Sequence, residues 1–289
     1  MQTPLQTPLP TPLTDMRCQV VSNQICGNQL KLLRLRLLDG QFQCLPGQFV
    51  MLDLPESQFY FRRPFSVLDT PDSQTLDIYY KQVGVGTSMM WDFQPGQIIN
   101  CLGPLGKGFT PPAQPKSALY IGGGIGIAPP YFLAKSQQQK GHCFYGVRNA
   151  EEIGLQKALK AQFGPNLHIA TDNGSAGFHG NVCQLLEQHT PLVLQAQEAY
   201  VCGPTRMMEA TATLLKTINP TMRIEVSLEE RMPCGTGACT GCVTTRTDRY
   251  LPAKVCLEGP VFEASLIDWQ GGPPRPLSAF CEEAPCPQQ

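Results

Sequence analysis

The chain has 289 residues, a formal net charge of -1 and 16% charged side chains. Such a length suits two or three domains rather than one, and the near-neutral balance excludes the basic face that nucleic-acid binding requires. No apolar run approaches the roughly 18 residues that span a bilayer, and the start lacks a basic and apolar leader, so a cytoplasmic protein without a membrane partner is expected.

Residues 1–14, MQTPLQTPLPTPLT, repeat Thr-Pro-Leu without packing periodicity, which predicts a disordered or polyproline-like tail. From 15 to 112, the segments QLKLLRLRLL, GQFVMLDLP, TLDIYYKQV and QIINCLG are short, β-rich and separated by Gly and Pro turns. This predicts an antiparallel β-barrel. Within it, Arg63-Pro64-Phe65-Ser66 starts a β segment and Gly86-Thr87 opens the helical stretch TSMMWDF. An arginine beside a helix N-terminus suits a pyrophosphate, since the guanidinium bonds it in bidentate fashion and free N–H groups add partial positive charge. The bland alternative is a solvated rim arginine and an ordinary turn.

From 113 to 224 the rhythm becomes strand, glycine turn, helix: SALYIGGG, GIAPPYFLAKSQQQ, GHCFYGVR, AEEIGLQKALKAQF, NLHIATD, NVCQLLEQ, AYVCGP, TRMMEATATLLKTI and RIEVSLE. Alternating strands and helices predict a doubly wound α/β nucleotide domain. The run Gly122-Gly123-Gly124-Ile125-Gly126 follows an apolar strand and precedes a helix, as a dinucleotide-binding turn does, without being a strict G-x-G-x-x-G. Cys202-Gly203-Pro204 makes a second glycine turn at the same kind of strand end. Either turn taken alone reads equally as a tight connection, and Cys202 as a small buried residue. Arg148, after GHCFYGV, faces either an adenosine phosphate or solvent.

Thirteen cysteines are many, and four of them fall between 234 and 256. Cys234, Cys239, Cys242 and Cys256 form C-x4-C-x2-C-x13-C, the plant-type [2Fe-2S] spacing. The intervening Gly235, Gly237 and Gly241 let the backbone approach a cluster and direct N–H groups at its sulfides. Structural zinc is the alternative, although zinc ribbons usually pair two C-x2-C knuckles and only Cys239 and Cys242 are so spaced. Residues 225–270 are therefore read as a small C-terminal [2Fe-2S] loop domain, and 271–289, with Cys281 and Cys286, as a second tail. The fold class is α+β multidomain.

With RRPFSV, YYKQVGVGT, GPLGKGF, GGGIGIAP, TDNGSAGFHG, CGPTRMM, SLEERMPCGTGACTGC and VCLEGPVF quoted, the chain resembles the electron-transfer subunits of the two-subunit, NAD-linked dihydroorotate dehydrogenases, within the ferredoxin-reductase superfamily. The resemblance covers about 16–269. It implies that Arg63, Pro64, Phe65, Ser66, Tyr79, Tyr80, Lys81, Gly86 and Thr87 line FAD. It likewise implies that Gly122, Gly123, Gly124, Gly126, Cys202, Gly203 and Pro204 hold NAD(H), with Cys202 near the nicotinamide and flavin rings. The implied partner is an FMN-containing dihydroorotate dehydrogenase catalytic subunit in a heterotetramer, with electrons running from FMN through the cluster and FAD to NAD+ and no catalytic acid or base in this chain. Pro130 and Lys107 depart from the family pattern, where Leu and Asn are common. Rival readings are a flavin and iron-sulfur NAD(P)H reductase subunit of a ferredoxin or hydrogenase complex, and a non-enzymatic, zinc-containing nucleotide-fold binding protein. Bifurcating relatives often carry Asp in place of the first cluster cysteine, which here is Cys234.

Overall fold

The structure is a computed structural model that describes residues 14–54, 61–137 and 141–271. The expected N-terminal tail up to residue 13, and the C-terminal tail from 272 with Cys281 and Cys286, lie outside the described residues.

Alternation builds the first sheet. Strand β1 (Thr14–Gly27) turns Met16, Cys18 and Val20 inward, and β2 (Leu30–Leu37) turns Leu33, Leu35 and Leu37 inward while Arg34 pairs with Asp77 at 2.7 Å on the other face. Strands β3 (Phe49–Leu52), β4 (Arg63–Ser66), β5 (Asp69–Asp72), β6 (Thr75–Lys81) and β7 (Ile98–Leu105) complete a seven-stranded sheet, with helix α1 (Val85–Trp91) between β6 and β7. The order is β4-β3-β7-β1-β2-β6-β5, antiparallel throughout. Its inner residues, including Val50, Leu52, Ile78 and Cys101, share one core. The antiparallel domain agrees with expectation. Strand β1 is an addition to the segments expected from the sequence, and its register shifts between Val20 and Ser22.

The second unit runs β8 (Leu119–Gly123), α2 (Ala128–Ser136), β9 (His142–Val147), α3 (Gln156–Phe163), β10 (Leu167–Thr171), β11 (Phe178–His179), α4 (Val182–Gln188), α5 (Thr190–Gln195), β12 (Glu198–Cys202), α6 (Thr205–Ile218) and β13 (Arg223–Ser227). Helix α6 buries Met208, Thr211, Ala212 and Leu215, one stripe at helical spacing. Pro129 and Pro130 occupy the second and third positions of α2, where a missing N–H costs no intrahelical bond. The helix expected over AEEIGLQKALKAQF starts only at Gln156. Asn149 caps a separate short turn over Ala150–Glu152, and Gly154 then packs against Tyr79 of the first sheet.

The third region forms β14 (Val243–Thr244), β15 (Ala253–Lys254), α7 (Val255–Glu258) and β16 (Val261–Glu263). Strand β16 returns to the second sheet, antiparallel to β13, giving the order β11-β10-β9-β8-β12-β13-β16. A boundary at 225 therefore falls inside β13, and the cysteine region is stitched to the nucleotide sheet.

The two sheets are also tied through their connection. The Thr110 N–H donates to Glu225 Oε2 at 2.9 Å, and the Ala113 N–H donates to both carboxylate oxygens of Glu198 at 3.0 and 3.1 Å. Arg223 bonds Glu198 at 2.9 Å and Glu225 at 2.5 Å, so one guanidinium bridges both acids where they hold the linker.

Candidate functional site

The parallel order places a topological switch point between β8 and β12. From β8 the chain winds one way through β9 and β10, whereas β12 and β13 lie on its other side. Ligands in doubly wound sheets bind in the crevice at this point, beyond the carboxyl ends of the strands. Both predicted glycine turns sit there, with Gly122 and Cys202 paired in register.

The turns pack on one another without room for a side chain. A Cβ on Gly126 would lie 2.6 Å from the Cys202 carbonyl oxygen and 2.6 Å from Gly203 Cα. Gly124 has φ of 58° and opens to free space, so its main chain is approachable from the crevice. Pro204 borders Gly123 and precedes α6. Cys202 is buried. Burial pushes its thiol up to about 12, with Glu229 adding to the rise, so the group stays protonated at neutral pH. Glu229 comes from SLEERMPC, read in sequence as a cluster signature; its approach to Cys202 arises from tertiary packing.

On the first sheet, β4 pairs with β3, Met51 facing Pro64 and Leu52 facing Arg63. The Arg63 side chain lies over the first turn of α1, and a Cβ on Gly86 would be 3.4 Å from Arg63 Nε. Arg63 and Gly86 are thus together, as the sequence reading requires. Arg63 Nη1 also donates to the Phe61 carbonyl at 2.9 Å. Thr87 is used locally, its Oγ1 accepting from the Val83 N–H at 2.9 Å and the Gly84 N–H at 3.1 Å. Phe65 meets Tyr80 edge to face at 6.3 Å.

Tyr79 and Tyr80 are placed differently from open lining residues. Tyr80 points into the first core, donating to Asn23 Oδ1 at 3.1 Å or the Met90 carbonyl at 3.0 Å. Tyr79 is buried against Gly154 between the two sheets. Lys81 crosses to the nucleotide domain and pairs with Glu152 at 2.9 Å. A cleft of about 880 Å³ follows, lined by Gln29, Lys81, Gly84, Val85, Ser88 and Arg148. Arg148 therefore faces the loop around Gly84 across the cleft.

The four cysteines come together as two pairs. The Cys239 N–H donates to Cys234 Sγ at 3.4 Å, and the Cys256 N–H donates to Cys242 Sγ at 3.4 Å. A further N–H, from Gly241, reaches Cys239 Sγ at 3.4 Å. Burial pushes the Cys234 thiol up, but backbone hydrogen bonds from Cys239 and Thr236 outweigh it and hold it at about 6. Burial and the neighbouring Cys242 raise Cys256 to about 12. Two thiol pairs with N–H groups turned to their sulfurs fit a two-iron cluster held by four cysteines. The loop also touches the first sheet, since a Cβ on Gly235 would lie 2.8 Å from Met51 Cγ. Among the described residues no helix is long and apolar enough to cross a membrane.

Residues 229–268 match the family model for the iron-sulfur cluster binding domain of dihydroorotate dehydrogenase B, and residues 120–213 match the oxidoreductase NAD-binding domain. The chain is 39% identical over 232 residues to the dihydroorotate dehydrogenase B (NAD(+)) electron transfer subunit of Enterococcus faecalis, covering 77% of this chain and 86% of that one. It is 39% identical over 231 residues to the same subunit of Listeria welshimeri, covering 77% and 87%. Among solved structures it is similar to the NADH-dependent reduced ferredoxin-NADP oxidoreductase studied for flavin-based electron bifurcation, with a TM-score of 0.72, 25% identity and coverage of 92% and 93%.

Proposed function

Since the chain belongs to the electron-transfer subunits of dihydroorotate dehydrogenase B, we propose that it carries electrons from an FMN-containing catalytic partner, which oxidises dihydroorotate, to NAD+ in pyrimidine biosynthesis. One arrangement supports this above all: the cysteine loop rests on β3, and β3 is hydrogen-bonded to the strand carrying Arg63–Ser66. When bound, the [2Fe-2S] cluster supplies one-electron transfer and FAD supplies the exchange between single electrons and hydride.

The residues of the chain bind, orient and shield. Arg63 and the N–H groups around Gly86 hold the FAD pyrophosphate, Pro64 and Phe65 wall the flavin, and Ser66 hydrogen-bonds its edge. Tyr79 and Tyr80 contribute main chain to that site, because their side chains are engaged elsewhere. Lys81 fixes the flavin strand to the nucleotide domain through Glu152. The turns at Gly122–Gly126 and Cys202–Pro204 seat NAD(H), and Cys202 offers a neutral thiol beside the rings. No residue is required as general acid or base.

Val243, Leu251 and Leu257 are exposed in the same region as the exposed Cys239, with Leu257 against Gly237 of the cysteine loop, apolar surface suited to a partner that brings its own flavin close to the cluster. The assembly is a heterotetramer. The likeness to the bifurcating oxidoreductase keeps a second reading alive, in which the same electron path serves a ferredoxin.

The deciding assay combines the cofactor-loaded chain with an FMN-containing dihydroorotate dehydrogenase catalytic subunit and follows NAD+ reduction. Dihydroorotate-dependent NADH formation is expected. Reduction that needs reduced ferredoxin instead would favour the second reading, and a chain holding zinc and no flavin would overturn both.

A further inference from the structure

Lys254 stands opposite Val243 in the β14–β15 pair, next in sequence to the Val255 N–H that donates to the Cys242 carbonyl at 2.7 Å. It is therefore built into the half of the loop that holds Cys242 and Cys256. Its ammonium leaves that half and donates to the Gly237 carbonyl at 2.7 Å, in the half that holds Cys234 and Cys239. Gly237 has φ of 82°, and its N–H is directed at the Cys256 sulfur. One side chain thus clasps the two halves of the cysteine loop through a residue whose amide faces a cluster ligand.

Among the described residues no carboxylate is paired with that side chain. Its partner is a neutral carbonyl, whereas the nearby acid Glu258 is shared between the Lys254 backbone N–H at 3.0 Å and Arg249 at 2.6 Å. Arg246 is likewise paired, with Asp248 at 2.5 Å. Reduction adds a negative charge to a cluster, so a cation held beside it favours the reduced form.

We propose that Lys254 is a positioning residue that raises the reduction potential of the cluster, by fixing Gly237 against Cys256 and by placing a positive charge next to the ligand loop. This rests on the [2Fe-2S] reading of the four cysteines. The uptake of one electron by the oxidised cluster is unchanged in stoichiometry; only its driving force is altered.

The test is a mediated redox titration of the cofactor-loaded full chain, read by electron paramagnetic resonance of the reduced cluster, for wild type, Lys254→Gln, Lys254→Met and Lys254→Arg. At a fixed solution potential, the ratio of reduced to oxidised cluster is expected to fall on the order of tenfold in Lys254→Gln and Lys254→Met, the size one unit charge supplies at a partly buried site. For a one-electron couple that is about 59 mV. Lys254→Arg, which keeps the charge and the donor, is expected to titrate with wild type. An unchanged midpoint in Lys254→Gln at full iron content overturns the proposal. Loss of iron from Lys254→Gln also overturns it, by assigning the residue a purely structural role. Wild type lacking iron would instead remove the cluster reading itself, and the proposal with it.

Discussion

Gly235, the residue after Cys234, lies so close to Met51 that a Cβ would come within 2.8 Å of the Met51 Cγ. Met51 is the register partner of Pro64, so the cysteine loop and the Arg63–Ser66 strand are separated by a single strand. Gly235 also has φ of 72°, in the left-handed region. Gly235→Ala is expected to add about 1–2 kcal/mol of backbone strain and to push the loop off β3. Iron per chain and the rate of flavin reduction should both fall, and Met51→Ala in the same chain should recover part of the loss by removing the clash. Full iron and an unchanged rate in the single variant would argue against this contact as the electron path.

Arg63 lies across Gly86 with its guanidinium over the first turn of α1. Removing a charge-assisted, bidentate partner costs about 1.5–3 kcal/mol, or roughly 10- to 100-fold in affinity. Arg63→Ala should therefore lose FAD on dilution, as measured by flavin fluorescence release. Lys at the same position should restore only part of the binding, because an ammonium lacks the planar fork. Equal retention by all three proteins would remove Arg63 from the flavin site.

Cys202 tests the nucleotide side. Its thiol is raised to about 12, chiefly by burial, and remains neutral across the working range. The pH profile of NADH oxidation between about pH 6 and 9 should thus have the same shape in Cys202→Ala as in wild type, whatever its height. An inflection present in wild type and absent in the variant would show that the thiol ionises during turnover.

Arg223 tests the linker between the sheets. It bonds two carboxylates that in turn accept the N–H groups of Thr110 and Ala113. Arg223→Met would leave Glu198 and Glu225 facing each other without a cation. The loss is expected to be about 2–4 kcal/mol, short of the fully buried case because about a third of the Arg223 side chain is exposed. Thermal denaturation should shift down, and Glu225→Gln added to Arg223→Met should recover part of it. No shift in the single variant would show that the linker is held by other contacts.

The local signals were legible wherever one short stretch carries the chemistry. The cysteine spacing, the two glycine turns at strand ends, and the arginine before a β segment all act through neighbours in sequence. Tyr79 and Tyr80 show the limit. All of Thr75–Tyr80 is buried, because β6 is covered by the first core on one face and by the nucleotide domain on the other, so no alternation marks which side chain meets a ligand. The contacts of Gly235 with Met51, Glu229 with Cys202 and Glu225 with Thr110 join residues from different units and leave no periodic trace. Strand β1 was readable in part from Met16, Cys18 and Val20, but polar outward positions and a register shift break the pattern beyond them.

Three of the four histidines of the chain meet at one end of the second sheet, away from the glycine turns. His168 stacks on Phe144 at 4.7 Å, its ring lies 4.3 Å from that of His189, and its Nε2 is 3.4 Å from His142 Nδ1. Burial depresses His168 to about 4, with His189 and His142 adding to the effect, and burial also lowers His142. The folded protein therefore keeps His168 neutral at pH values where the unfolded chain, with a value near 6.5, binds a proton. Stability from this group is complete above about pH 6.5, declines as pH falls through the interval down to about 4, and loses nothing further below. The ring is partly exposed, so the full 1.4 kcal/mol per unit is screened and a total loss of about 1–2 kcal/mol is expected. Urea denaturation of wild type and His168→Phe at pH 7 and pH 4.5 isolates it: the phenylalanine keeps the stack and cannot titrate, so the variant should lose less stability on acidification. Equal losses in the two proteins would place the acid sensitivity elsewhere.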